Sequence, residues 1–564
     1  MSWQTSGLLA PLPSALLGGR DLDLLLPMRF VVPGTPPELV PPRVDRGVLA
    51  AALGSANAAY GNVAAATLQA KLADPATLAV VTGQQPGLFG GPLYALTKMV
   101  AAVRWAEELE RQGTPAVAVF WVATEDHDWS EVAHAAFAGA PADGGARDLS
   151  LGPDPAPLMP VGMRTLGPEL ERVYAEWAAL QPGPEEEATR TLLRRWYRPD
   201  ARFGEAFCRF AAHLLGPRCP LLLDSMLPAV KSAEQPLLRA LVERRAEVAA
   251  ALAAAEARAE SRGYALQVDP QPGAGQLFVL HGGARRRVLW EGADGVALRG
   301  GPTGWPVSRL LEAIDENPSV VSPGALSRPA IQDALLGTVL QVLGPGEVSY
   351  MAQASALYPV LGVQAPAVTL RPQALLLDPA LGRHLDASDL PALLDAKTPL
   401  ERRVAEKSGP GFVAETKTRV LDALLAARAP ALALDPTLDR PLEKTREQIE
   451  RALEAFSGKV DGALGRRDGI QLRRLERLRE ACLPLGGLQE RTLSVAHFAA
   501  RYGESFVQTL LTDLELDPRS LQVLSIDGAV IDAAPAGAAG DAARTEAAGG
   551  SAPSDAAAGP GDPA

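Results

Sequence analysis
The sequence predicts an α/β protein built on a parallel, doubly wound sheet, with inserted segments and a long helical arm. Three observations predict it. Residues 78–123 read strand–helix–strand: an apolar run Leu78–Val81, a glycine-rich turn, an amphipathic helical pattern, and a second apolar run Ala116–Ala123. Further short apolar runs at Cys219–Leu223, Thr338–Val342 and Pro366–Leu370 are followed by polar or glycine-containing turns, as strands buried on both faces require. Residues 388–482 then change character, with charged residues recurring between Leu, Ala and Ile at helical spacing.

In chain order, residues 1–227 form the first part of the core. Within it Arg43–Tyr60, Pro168–Leu180 and Pro184–Tyr197 read as helices, and Pro141–Pro160 as loop. Residues 228–320 read as a connecting insert. A helical pattern over 228–262 is followed by short strands at Tyr264–Val268, Leu277–Leu280 and Arg287–Trp290. Residues 321–387 return to the core, with a helix over Arg328–Leu336. Residues 388–482 are a helical hairpin or coiled-coil arm, with Pro441–Phe456 and Asp468–Cys482 its clearest pieces. Pro430, Pro436 and Pro441 segment that arm. Residues 483–532 are compact. The tail from 533 to 564 is almost wholly Ala, Gly, Pro, Asp, Ser and Thr, a composition that predicts disorder.

Composition narrows the function. Among 564 residues, 47% hydrophobic and 21% charged content suits a globular protein with a large core. A net charge of −12 without a basic block argues against a nucleic-acid partner. No run of about 18 apolar residues predicts a membrane span. The first residues lack the basic start of a signal peptide. Three widely spaced cysteines, Cys208, Cys219 and Cys482, fit a reduced cytoplasmic protein. Six histidines without HxxxH or CxxC spacing predict no structural metal.

The chemistry gathers after the strands, where doubly wound sheets bind ligands. The loop Thr82-Gly83-Gln84-Gln85-Pro86-Gly87-Leu88-Phe89-Gly90-Gly91-Pro92 opens a helix, so its N–H groups suit a phosphate or carboxylate. The alternative is a turn that only packs strand against helix. The loop is neither a P-loop nor GxGxxG. Tyr94 and Lys98 share the next helical face, and Lys98 could reach an anion on the loop or lie solvated at the surface. Glu125, Asp126, His127 and Asp128 follow the second strand. They suit a general base, an ammonium site or Mg²⁺ chelation, and adjacent carboxylates raise the pKa of one of them. The alternative is a solvated loop, and Asp128 reads as a helix cap. His134 reads as structural. Arg328, with Gln332 and Asp333 on its helix, is an anion candidate whose alternative is a structural salt bridge, and Arg371 after a strand is another anion candidate. Gly344, Gly346, Glu347, Tyr350 and Gln353 mark a second glycine loop entering a helix. The two loops predict one crevice shared by two parts of the sheet. Ser225 lacks a GxSxG elbow, which excludes serine hydrolysis.

Together TGQQPGLFGGPLYALTK, FWVATEDHDWSEV, SRPAIQD, GPGEVSYMAQ and LGGLQERTLSVAHFAARYG resemble, in the same order, the bacillithiol biosynthesis cysteine-adding enzymes, a family of cysteine ligases. The resemblance runs from about residue 75 to 515. It implies a Rossmann-like nucleotidyltransferase core related to class I aminoacyl-tRNA synthetases, with inserted connecting segments, a coiled-coil domain and a homodimer built through it. It also implies joining of L-cysteine to the free amine of glucosaminyl-malate, giving bacillithiol. ATP or ADP, with room for Mg²⁺, is the expected cofactor, and an acyl-adenylate or acyl-phosphate the expected activated species. On that reading the loop and Lys98 hold phosphates or the activated carboxylate. Glu125, Asp126 and His127 hold the cysteine ammonium or deprotonate the sugar amine, and Arg328 or Arg371 grips the malyl carboxylates. The sequence has no KMSKS-like lysine loop, so adenylation rests on fold analogy. Two other functions fit the same residues: a nucleotide-binding, non-catalytic scaffold of the pathway, and a nucleotidyltransferase acting on another small acid.

Overall fold
The computed structural model describes residues 9–34, 44–139, 145–408 and 412–526. The predicted tail and the start of the chain lie outside them. The core is a six-stranded sheet in which every pairing is parallel. In spatial order its strands are Arg29–Phe30, Ala367–Leu370, Thr338–Leu343, Leu78–Gln84, Ala116–Val122 and Leu221–Asp224. Ala116–Val122 is buried at every position and Leu78–Gln84 through its first five, which explains why both read as apolar runs rather than alternating ones.

The chain runs outward from Leu78–Gln84 to Ala116–Val122 and Leu221–Asp224. It then crosses back to Thr338–Leu343 on the other side of the Leu78–Gln84 strand. The strand order therefore reverses beside Leu78–Gln84, and such a reversal leaves a crevice at the carboxyl ends of the strands. The helix Leu93–Arg111 makes the first crossover, burying thirteen of its side chains, Lys98 among them. Gly83 is required by packing: a Cβ there would sit 2.8 Å from the Trp121 carbonyl oxygen on the neighbouring strand.

The insert contributes the helices Pro228–Glu243 and Arg245–Ser261, then a five-stranded sheet from Ala274–His281, Ala284–Glu291, Gly295–Leu298, Trp305–Pro306 and Val321–Pro323. Tyr264–Val268, predicted as a strand, is irregular chain. Its backbone is held instead by Gln353, whose amide donates to the Val268 carbonyl at 2.8 Å and accepts from its N–H at 3.2 Å.

The arm contains the helices Leu400–Ser408, Phe412–Ala426, Arg428–Leu434, Asp439–Arg467 and Gly469–Cys482. Pro430 and Pro441 fall in first turns, where no helical N–H is lost, and Pro436 opens a short 3₁₀ turn. Leu475, Leu478 and Cys482 anchor the last helix in the core. The chain then returns through the helix Gln489–Thr492 to the strand Leu521–Ser525, which pairs in parallel with Gln373–Leu377. All three cysteines are free and buried. Among the described residues no helix is long and apolar enough to cross a membrane.

Candidate functional site
A cavity of about 380 Å³ opens at the carboxyl ends of the central strands. Gly83, Gln84 and Gln85 reach it from the first glycine loop, and Glu125, Asp126 and His127 from the end of the next strand. Arg328 reaches it from a helix start, and Glu347 and Tyr350 from the second glycine loop. The two loops thus share one crevice, with Gln84 and Asp126 on its wall.

That wall is acidic and tightly bonded. The Gln84 amide donates to the Tyr94 hydroxyl at 3.0 Å and to Glu131 at 2.5 Å. The Gln85 amide donates to Asp126 at 3.0 Å and to Glu131 at 2.9 Å. Its carbonyl oxygen, Oε1, is buried and has no partner among the described residues. Burial, helped by the nearby Asp128 and Asp126 carboxylates, pushes Glu131 up to about 7. Asp128 caps the short helix Trp129–Val132, accepting from the Glu131 N–H, and this turn carries Glu131 into the site. His134 lies outside it, paired with Asp148 at 2.9 Å.

Lys98 lies beneath the loop, fully buried. Its ammonium reaches Glu347 at 2.5 Å, the Gly83 carbonyl at 2.7 Å and Gln84 Oε1 at 2.9 Å. Burial drives its pKa down, against the pull of Glu347. Lys98 is thus a strut for Gln84 and the second loop. It is neither the phosphate-seeking cation nor the solvated surface lysine that the sequence left open.

The facing wall comes from the insert. Arg285, Arg287 and Phe278 line the cavity from adjacent strands. Arg285 donates to Ser322 at 2.9 Å and to the Pro323 carbonyl at 2.7 Å, meets His127 Nδ1 at 3.2 Å, and stands 3.7 Å from Asp126. Burial and then Arg285 hold His127 below its ordinary pKa, so the imidazole is neutral at physiological pH. Behind Glu125, Lys231 bridges Glu125 and Glu234 in a buried triad, the second contact at 2.6 Å. Burial disfavours the Lys231 charge, but the two carboxylates outweigh it and raise its pKa.

Several expected ligand residues have other work. The N–H groups of Gly87, Gly90 and Gly91 already donate to the Gln85 carbonyl, the Tyr197 hydroxyl and the Leu88 carbonyl at 3.0, 2.9 and 3.0 Å. After Pro92 the helix start is closed by the Leu493 carbonyl, which accepts from Leu93 N–H at 2.9 Å. The loop therefore does not present these glycine amides to an anion; close packing explains the residues. A Cβ on Gly87 would lie 2.7 Å from Gly91 Cα, and one on Gly90 would lie 2.9 Å from Val495 Cβ. Arg371 is no free anion site either: it is buried and bonds Glu490 in bidentate fashion at 2.7 and 2.8 Å, joining the core to the C-terminal segment. Asp333 accepts from Gln341, from Tyr358 at 2.5 Å and from Gln332 at 3.2 Å, a closed network inside the core. Thr82 donates to the Val342 carbonyl at 2.7 Å. Gly344 N–H donates to Glu347 at 2.7 Å, and neither Gly344 nor Gly346 lines the cavity.

Glu131, Arg285, Arg287 and Lys231 were not singled out in the sequence. The run Arg285-Arg286-Arg287 in a strand carries a usable signal, because alternation sends its first and third members to one face. Lys231 and Glu234 sit three apart on a helix that follows a core strand.

Over residues 39–372 the chain matches the family described as "Bacillithiol biosynthesis BshC, N-terminal Rossmann-like domain". Over 382–524 it matches "Bacillithiol biosynthesis BshC, C-terminal coiled-coil domain". Proteins named "Putative cysteine ligase BshC" are similar to it along most of their length. That of Solibacter usitatus is 32% identical over 471 residues, covering 81% of this chain and 86% of the relative. That of Symbiobacterium thermophilum is 32% identical, covering 84% and 88%. That of Salinibacter ruber is 32% identical, covering 81% and 84%.

Proposed function
The chain belongs to the bacillithiol biosynthesis BshC family, and from that premise we propose that it is a cysteine ligase joining L-cysteine to the amine of glucosaminyl-malate. The observation that carries the proposal is the two-signed cavity: carboxylates of Asp126 and Glu131 on one wall, guanidinium groups of Arg285, Arg287 and Arg328 around the rest. One substrate brings an ammonium and a carboxylate, the other an amine and two carboxylates. Such a cavity matches both in charge.

Amide formation needs the sugar amine in its neutral form. Glu131, with its pKa near 7, is placed to take the proton as the amine attacks. The new C–N bond forms on the cysteine carbonyl carbon, and the activating group leaves with the C–O electron pair. Neutral His127 and the Lys231-held Glu125 frame the same end of the cavity.

A free carboxylate is a poor electrophile, so nucleotide-dependent activation belongs to the proposal. ATP, when bound, would supply a phosphoryl or adenylyl group to a carboxylate oxygen, with ADP or pyrophosphate released, and so turn that oxygen into a leaving group. The residues present fit an anionic group at Arg328, which lines the cavity and is braced by Gln332 at 2.8 Å and Tyr350 at 2.7 Å. Among the described residues no group of three ligating side chains could hold a metal, so a Mg²⁺ ion would take most of its oxygens from phosphate and water. A homodimer through the arm completes the reading, supported by the exposed apolar side chains of Leu425, Leu434, Phe456 and Ile470. A cytoplasmic location is part of it, supported by the three free cysteines and tested by cell fractionation.

Incubation with L-cysteine, glucosaminyl-malate and ATP, followed by mass spectrometry of the thiol product, tests the ligase. Product that vanishes in a folded Asp126→Ala variant supports it. Nucleotide binding with no product under any condition leaves a scaffold instead, and product without nucleotide removes the activation step alone.

A further inference from the structure
The arginine pair of the insert has an arrangement that its own contacts do not explain. Arg285 and Arg287 stand two apart on the strand Ala284–Glu291, on the face that also carries Phe278 of the neighbouring strand. Both guanidinium groups lie over that one ring, their Cζ atoms 3.8 and 5.1 Å from its centroid. Arg286, between them, points the other way and bonds the Arg299 carbonyl at 3.3 Å. The strand therefore delivers two cations side by side to the cavity, where they repel.

Their partners are unequal. Arg285 is buried and oriented by Ser322 and Pro323, with Asp126 its nearest carboxylate at 3.7 Å. Arg287 is half-buried and makes one long hydrogen bond, to Gln271 at 3.4 Å. Among the described residues no carboxylate pairs with Arg287, and its charged neighbours are Arg299 and Arg285. Two adjacent guanidinium groups on an aromatic platform, one of them without a counter-ion, are built to receive a doubly charged anion.

We propose that Arg285 and Arg287 form a dicarboxylate subsite on the insert, which holds the malyl end of the sugar substrate. The assignment of that ligand rests on the ligase reading above; the subsite itself rests on the geometry. It places the anionic end of the substrate on the insert wall, across from Glu131, and leaves the amine to face the acidic wall. The insert, rather than the parallel core, then selects the sugar substrate.

Arg287→Gln is the informative variant, because Arg287 is partly exposed and its loss removes no buried ion pair. Unchanged thermal melting verifies the fold, and Arg287→Lys keeps the charge while losing the fork. Calorimetric titration with L-malate, which requires no turnover, reads the subsite directly. Loss of a charge-assisted bond weakens malate binding about tenfold or more in Arg287→Gln, and less in Arg287→Lys. In steady-state assays the KM for glucosaminyl-malate rises by a similar factor, while the KM for cysteine stays put. Malate binding that depends on Arg287 in a protein making no product upholds the subsite and ends the ligase reading. Product formation with unchanged malate affinity and unchanged KM in Arg287→Gln overturns the subsite and leaves the ligase. Loss of ADP binding with malate binding intact overturns it too, because the pair would then serve a nucleotide.

Discussion
Glu131 is where the side chains of Gln84 and Gln85 converge, and its acidity is the property of the cavity most open to measurement. As the base it must be ionised, so kcat rises with pH through about 7 and levels off above it. Glu131→Gln removes that limb and lowers kcat by about 10²- to 10⁴-fold, the usual contribution of a general base. Its effect on stability has the opposite sign. The folded-state pKa stands above the ordinary 4.5, so the protonated group favours the fold at low pH, and this support disappears as pH rises through 7. The melting temperature of Glu131→Gln relative to the parent therefore climbs between pH 5 and pH 8; a difference that stays flat or falls would show that Glu131 carries no buried charge. In the sequence Glu131 belongs to a capped turn after Asp128, and nothing in the spacing tells that the turn folds inward. Its neighbours Glu125, Asp126 and His127 stand out because they follow an unbroken apolar strand.

The first glycine loop shows how one pattern admits two physical causes. Glycine serves an anion by exposing N–H groups, and serves packing by removing a side chain. Here Gly90 has φ +90°, and its absent Cβ makes room for Val495 and Phe210. Gly90→Ala should cost about 1–3 kcal/mol in urea unfolding through strain and overpacking. Its KM for nucleotide should stay within about twofold of the parent. A selective rise in that KM without loss of stability would return the loop to phosphate binding. The core strands and the helices Leu93–Arg111 and Arg328–Leu336 were legible because burial on both faces and 3.6-residue periodicity mark the chain directly. The C-terminal segment that caps the loop was not tied to it in the sequence. Its contact with Pro92 spans some four hundred residues, and no local pattern encodes such a pairing.

Across the protein, the parallel core and the C-terminal segment that follows the arm are tied together by buried groups distant in sequence, Arg371 with Glu490 foremost. The class and order of the parts could be read from composition shifts; the fifth strand of the insert sheet, Val321–Pro323, could not, being three residues long. The arm leaves Leu434 and Phe456 85% and 50% exposed. A dimer that covers them has twice the chain mass by light scattering, and Leu434→Glu with Phe456→Glu lowers it toward the monomer. A parent that already runs as a monomer at micromolar concentration excludes the arm as a dimer contact. The burial of Cys208, Cys219 and Cys482 has a separate consequence. Burial pushes the Cys482 thiol up to about 12 and raises the Cys208 and Cys219 thiols well above their ordinary range, so none offers a thiolate near neutrality. On the proposed ligase reading, in which one thiol enters and another leaves, this burial spares the protein mixed-disulfide formation with its own reactants. Ellman's reagent should count no reactive groups in the native protein and three after denaturation, and oxidised bacillithiol should leave the native mass unchanged.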